Sequence, residues 1–259
     1  MGMSGVVIIK WGGGLITKKD TLCVVNHEVL NSLAQVAAES SKRLIIVHGA
    51  GSFGHIKAKQ FSLADGDVED LEQKEAIEIV RNDMMLLNSE VMSSLESAGL
   101  NARSYPPHRW AKGLGPHFSG QLPLYDGITV LFGDVVDDET QGFGILSGDD
   151  LVFRYAVEVP NVERVIFAIH GVDGLLKVPP SRAQADDLIE VWSEDIAFEG
   201  EHATEFDVTG GIGLKAARGA LIAEHGIEVL MVNGERPDRI LAAIEGQPVR
   251  GTRIVRRNS

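Results

Sequence analysis

The sequence predicts an α/β fold, with an open, mostly parallel sheet sandwiched by helices. Three observations predict it. Short β-branched and apolar runs recur along the chain, and several end on glycine-rich loops. Amphipathic helical stretches lie between those runs, which is the pattern of parallel strands joined by crossover helices. The chain is 259 residues long and 44% apolar, enough for a sizeable core.

Val6–Trp11 reads as a buried strand leading into Gly12-Gly13-Gly14. Asn26 is placed to cap a helix to about Ser40, with Val29, Leu33, Val36 and Ala37 on one face. Leu44–His48 is a second buried strand, and Gly49-Ala50-Gly51-Ser52-Phe53-Gly54-His55 follows it. Ile77, Val80, Met84, Leu87, Val91 and Leu95 recur at spacings of three and four, predicting one long helix from Asp67 to Ala98. Short strands and hairpins are expected from Asn101 to Leu146, with Ile128–Phe132 the clearest. Ser147-Gly148-Asp149-Asp150 precedes a helix to about Val159, with the two aspartates as candidate caps. Val165–Ile169 is a third core strand, and Ser181–Asp187 reads as a surface loop. Asp207 to Gly213 opens a helix from about Leu214 to His225. Val229–Val232, a helix near Pro237–Ile244 and a strand Thr252–Val255 complete the order.

The formal net charge is −13, so nucleic acid and anionic membranes are not expected partners. The single cysteine, Cys23, allows no internal disulfide and no cysteine-based zinc site. That fits a reducing, cytoplasmic compartment. No apolar run approaches the roughly 20 residues of a membrane span, and Lys10 interrupts the opening run too early for a signal peptide.

Four glycine-rich segments lie at strand ends or helix starts, where backbone N–H groups can turn toward phosphate. Each alone is equally a turn that needs glycine for geometry. Two lysines accompany them. Lys10 lies in an otherwise apolar strand, where a buried cation needs an anion. Lys215 lies in the first turn of a helix, where the dipole disfavours a cation unless an anion is near. A P-loop is absent, and the G-x-G-x-x-G at Gly49–Gly54 lacks the second strand a dinucleotide site requires. No residues form an obvious metal cage. His48, ending a buried strand, reads as structural more than functional, and Asp134 is equally a turn residue or a functional one.

Lys10-Trp11-Gly12-Gly13 resembles the K-x-G-G opening of the amino acid kinase family. His48-Gly49-Ala50-Gly51-Ser52-Phe53-Gly54-His55 resembles the H-G-G-G-S-F-G-H segment of its isopentenyl phosphate kinases. Gly133-Asp134-Val135-Val136 and Gly144 to Asp150 are similar to that group's middle region, and Asp207-Val208-Thr209-Gly210-Gly211 with Lys215 to its D-V-T-G-G segment.

The resemblance implies one amino acid kinase domain over residues 1–259, with an acceptor lobe to about 165 and a nucleotide lobe from about 166. It implies ATP with Mg²⁺, a small phosphorylated acceptor and a homodimer. Lys10, Gly12, Gly13, Gly51, Asp173, Gly211 and Lys215 would then meet ATP. Ala50, Gly51, Gly54, His55, Ser147 and Gly148 would meet the acceptor, and Lys10, His55 and Lys215 would serve catalysis. Fosfomycin kinases resemble the loop segment too, and a regulatory nucleotide-binding protein is the non-catalytic alternative. Three positions depart from the family pattern. Gly14 stands for a serine, Ala50 for a glycine, which requires a negative φ, and His170 for an acidic residue.

Overall fold

Every residue of β1 (Val6–Trp11) is buried, because the strand is paired along both edges. A computed structural model describes residues 5–18, 21–68, 71–198 and 211–257. After β1 come the single turn α1 (Gly13–Ile16), α2 (His27–Glu39), β2 (Arg43–His48), α3 (Gly51–Gln60) and α4 (Leu71–Ser97). Then follow β3 (Ala102–Ser104), β4 (Ile128–Phe132), β5 (Asp134–Asp138), β6 (Gly142–Leu146) and α5 (Gly148–Glu158). The rest of the described chain contains β7 (Val162–Ile169), β8 (Val191–Trp192), α6 (Gly211–Glu224), β9 (Glu228–Asn233), α7 (Pro237–Glu245) and β10 (Thr252–Ile254).

Eight strands form one sheet in the order β3-β4-β2-β1-β7-β9-β10-β8, and β5 and β6 form a separate hairpin. Within the large sheet every pairing is parallel except β9 with β10. Period-two alternation along β1 divides the core. Val7, Ile9 and Trp11 join the residues of α2, α4 and α7 on one face. Val6 and Ile8 join those of α5 and α6 on the other. Lys10 shares the parity of Val6 and Ile8, so it points toward α5. On α4 the residues Val80, Met84, Leu87, Val91 and Leu95 are buried as the periodicity predicts. Such side chains each contribute roughly 1.5–3 kcal/mol of burial.

Some expected boundaries move. Among the described residues helix α4 runs from Leu71, and Asp67 and Val68 lie outside it, after a 3-10 turn at Leu63–Asp65. Ser181–Asp187 falls mostly in two 3-10 turns. The N-cap of α5 is Ser147, whose Oγ accepts from the Asp149 amide at 3.1 Å, so neither aspartate caps this helix. Asn26 occupies the cap position of α2 but makes no side-chain capping bond.

The order of strands creates the site. From β1 the chain proceeds to β2 on one side and later to β7 on the other. In such a sheet the crevice opens at the carboxyl ends of the strands flanking that switch. Trp11, His48, Phe132 and Ile169 are the last residues of β1, β2, β4 and β7.

Candidate active site

The loops after β1 and β2 meet backbone to backbone. A Cβ on Gly49 would lie 2.5 Å from the Gly13 amide nitrogen, so these glycines are required by close approach. Gly51, the first residue of α3, has φ +51°, and a Cβ there would strike Thr17 Oγ1. Thr17 Oγ1 accepts from the Ser52 amide at 3.1 Å and donates to Gly13 O at 2.8 Å, locking the two loops together. Ala50 sits at φ −80°, an ordinary helical value, so alanine meets the negative φ that this position requires.

A cavity of about 480 Å³ opens over these strand ends. Ligand sites commonly fall in this size range. Lys10, Gly12, Gly13, Ala50, Gly51, Gly54, His55, Ser147, Gly148, Gly211 and Lys215 all contribute to its wall, with the departing residues Gly14 and His170. His55 lies one turn into α3, because the helix begins at Gly51 and includes the glycine motif. Gly54 has a packing role as well: a Cβ there would lie 3.1 Å from Met84 Sδ, so α3 and α4 touch closely. Ile56, Val80, Met84, Val135, Ile145 and Leu146 make this end of the cavity apolar.

Asp173 is placed differently. It is absent from the cavity wall, and its carboxylate receives Arg250 Nε at 2.7 Å, Arg239 and Asn233. Partial burial raises its pKa, but these donors outweigh that and hold the group below its usual range. His170 Nδ1 lies 2.8 Å from Glu235 Oε1, so a carboxylate stands beside the site even though position 170 is not acidic. Asp207 to Gly210 lie outside the described residues.

The residue that sequence reasoning missed is Asp149. Its side chain is almost fully buried, one oxygen pairs with Lys10 Nζ, and the other lies 3.6 Å from Lys215 Nζ. Burial pushes the carboxyl up, but Lys10 and Lys215 outweigh it and keep Asp149 below the ordinary carboxylate range. The anion that buried Lys10 requires is therefore supplied within the protein. Lys215 also donates to Gly211 O at 3.1 Å, which folds it back over the start of α6. Asp150, the next residue, binds Arg218 Nε at 2.6 Å; burial raises this carboxyl, and Arg218 only partly offsets the shift. Two consecutive aspartates of α5 thus pin two cations of α6. A signal did exist in the sequence: two cations expected at one buried site, with Asp149 and Asp150 at the start of an inward helix.

Beneath the loop after β2, His48 is fully buried, its ring stacked on Phe132 at 5.1 Å and its Nδ1 lying 3.1 Å from Gly49 O. Desolvation lowers its pKa to about 4, against smaller opposing effects of Gly49 O and Asn88. It is a structural histidine, as its position at a strand end suggests.

A three-layer α/β sheet, paired lysines at its switch point and helix starts facing a common cavity define a protein built to bind and transfer phosphoryl groups. The chain belongs to the amino acid kinase family, whose model matches residues 5–233. It is 32% identical to the isopentenyl phosphate kinase of Methanothermobacter thermautotrophicus, covering 96% of this chain and 98% of that protein. It is 28% identical to that of Thermoplasma acidophilum, covering 91% and 94% respectively. An X-ray structure of an isopentenyl phosphate kinase superposes with a TM-score of 0.80 at 29% identity, covering 96% of this chain and all of that one. A UMP kinase from Ureaplasma parvum, at 16% identity and a TM-score of 0.61, shares the fold alone. As a member of this family the chain is a kinase that uses ATP. No helix among the described residues is long and apolar enough to cross a membrane.

Proposed function

We propose that the chain phosphorylates isopentenyl phosphate with ATP, giving isopentenyl diphosphate and ADP. The observation that carries this reading is the pairing of His55 with the apolar wall of Val80, Met84 and Ile145 at one end of the lysine-bearing cavity. A phosphate monoester with a short apolar tail fits both features. The two named relatives, 32% and 28% identical over most of the chain, support the same substrate.

In this reading the residues to about 165 hold the acceptor and those from about 166 the nucleotide. Glycines 12, 13 and 211 approach the ATP phosphates, and Ala50, Gly51, Ser147 and Gly148 border the acceptor phosphate. The second pKa of a phosphate monoester is about 6, so near neutral pH the acceptor is mostly a dianion and needs no general base. One of its oxygens attacks the γ-phosphorus, the γ-to-β bridging bond breaks, and ADP departs. His55 donates a hydrogen bond that holds the attacking phosphate in line. Lys10 and Lys215, aligned by Asp149, offset the charge on the transferred group. The described residues offer no cluster of metal-ligating side chains, so Mg²⁺ would be held mainly by the nucleotide itself and would supply further charge neutralisation there. A cytoplasmic homodimer completes the reading, on family resemblance.

The test is turnover of isopentenyl phosphate by purified protein with Mg²⁺ and ATP, followed by ADP release and product mass. Isopentenyl diphosphate is the expected product. Robust turnover of fosfomycin with none of isopentenyl phosphate would overturn the acceptor and leave the family intact.

A further inference from the structure

Asp134 opens β5 on the cavity wall, and its side chain is completely buried. A buried carboxylate beside a phosphate site is costly unless donors surround it. Three N–H groups do so. Oδ2 receives the His108 amide at 3.0 Å and lies 2.7 Å from His108 Nδ1, and Oδ1 receives the Val135 amide at 2.9 Å. In the tautomer with its proton on Nδ1, His108 donates to Oδ2.

The consequence falls on Val135. Its amide is held by Asp134, and its carbonyl receives Arg81 Nε from α4 at 2.9 Å. Asp134 stands opposite Leu146 and Val135 opposite Ile145 in the β5–β6 hairpin. Val135, Ile145 and Leu146 line the cavity together with Met84 and Val80. The hairpin is separate from the large sheet; main-chain bonds from Gly113 to Asp137 and from Asp67 to Gln141 hold its far end, and the Asp134 and Arg81 contacts hold the end at the cavity. His108 lies outside that wall, in the turn Pro107–Arg109, with its side chain 18% exposed.

We infer that His108 is a positioning residue for the acceptor, which, through Asp134, sets where the β5–β6 wall stands. The inference rests on the proposed function for the nature of the acceptor tail. His108 touches neither the reacting groups nor the nucleotide end, so its loss acts selectively.

The experiment compares His108→Ala, His108→Asn and wild type. Asparagine keeps an N–H donor near the position of Nδ1. The acceptor is whichever of isopentenyl phosphate and fosfomycin the wild type phosphorylates faster, so a wrong substrate assignment shows in the wild type alone. His108→Ala should raise acceptor KM about tenfold and change kcat less than about threefold, since small misplacements of a binding wall have such costs. ATP affinity, measured by calorimetry without acceptor, should stay within about twofold, and His108→Asn should recover most of the acceptor KM. Unchanged acceptor KM in His108→Ala overturns the inference. So does an equal loss of ATP affinity, or an asparagine variant as impaired as alanine, because either means a general structural role. An alanine variant that does not fold leaves the decision to His108→Asn, in which near-wild-type acceptor KM is expected and a tenfold rise overturns the inference.

Discussion

Helices α3 and α6 start alike and differ one turn later. Gly51 opens α3 at φ +51°, and Gly211 opens α6 at φ +54°, both in the left-handed region that favours glycine. Four residues on, α3 has His55 and α6 has Lys215. The surroundings differ too. The α3 end faces Met84 and Val80, whereas the α6 end faces the aspartates of α5. The backbone feature that turns N–H groups toward an anion is therefore shared, while the side chain one turn in and its neighbours distinguish the ends. A permanent cation needs an internal counter-charge, and Asp149 supplies it. A histidine can donate while neutral and needs none.

The largest test of this contrast is at the lysines. Lys215→Ala and Lys10→Ala should each lower kcat by about 10²-fold or more, because electrostatic groups at a transition state are commonly worth several kcal/mol. Wild-type kcat in either variant would remove that lysine from the chemistry. Steady-state kinetics at saturating ATP and acceptor decide it.

Acid should separate the ends next. Buried His48, under the acceptor loop, has a folded pKa of about 4 against an ordinary 6.5. Its folded pKa is depressed and it is a base, so between those values the unfolded chain binds more protons than the folded one. Stability is thus fully present above about pH 6.5 and falls as pH drops toward 4. The full contribution is on the order of 3 kcal/mol. Chemical denaturation from pH 7.5 to 4.5 should show this slope, and a His48→Asn variant should flatten it. Equal slopes in both proteins would assign the acid sensitivity elsewhere.

The finest test is at His55. A donor needs an N–H, whereas a base needs a vacant nitrogen. His55→Ala should raise acceptor KM about tenfold, and His55→Gln should stay within about threefold of wild type from pH 6 to 9. Both variants equally dead, with unchanged acceptor KM, would make His55 a base or a group acting only in the transition state.

Much of this was legible in the chain. The strands Val6–Trp11 and Ile128–Phe132 fall where their apolar runs predict, and the face of α4 follows its periodicity. The cavity gathers the predicted loops because parallel strands deliver their carboxyl ends to one side. The two-residue strand β8 was not legible, since pairing with β10 defines it and its own composition does not. Nor was the role of Asp149. Lys10, Asp149 and Lys215 lie far apart in sequence, and only the β1–α5–α6 packing brings them together. The glycines carried a double meaning: Gly13 and Gly49 are required by loop contact, whatever else they approach.

The double pairing of β1 has one more consequence. Hydrogen bonds hold this strand along both edges, to β2 and to β7, up to its last residue. Lys10, next to last, is carried by one of the least movable segments of the molecule. Lids and loops can shift as ligands come and go, but the backbone that carries this charge is held on both sides, which suits the fixed post that the proposed transfer asks of it.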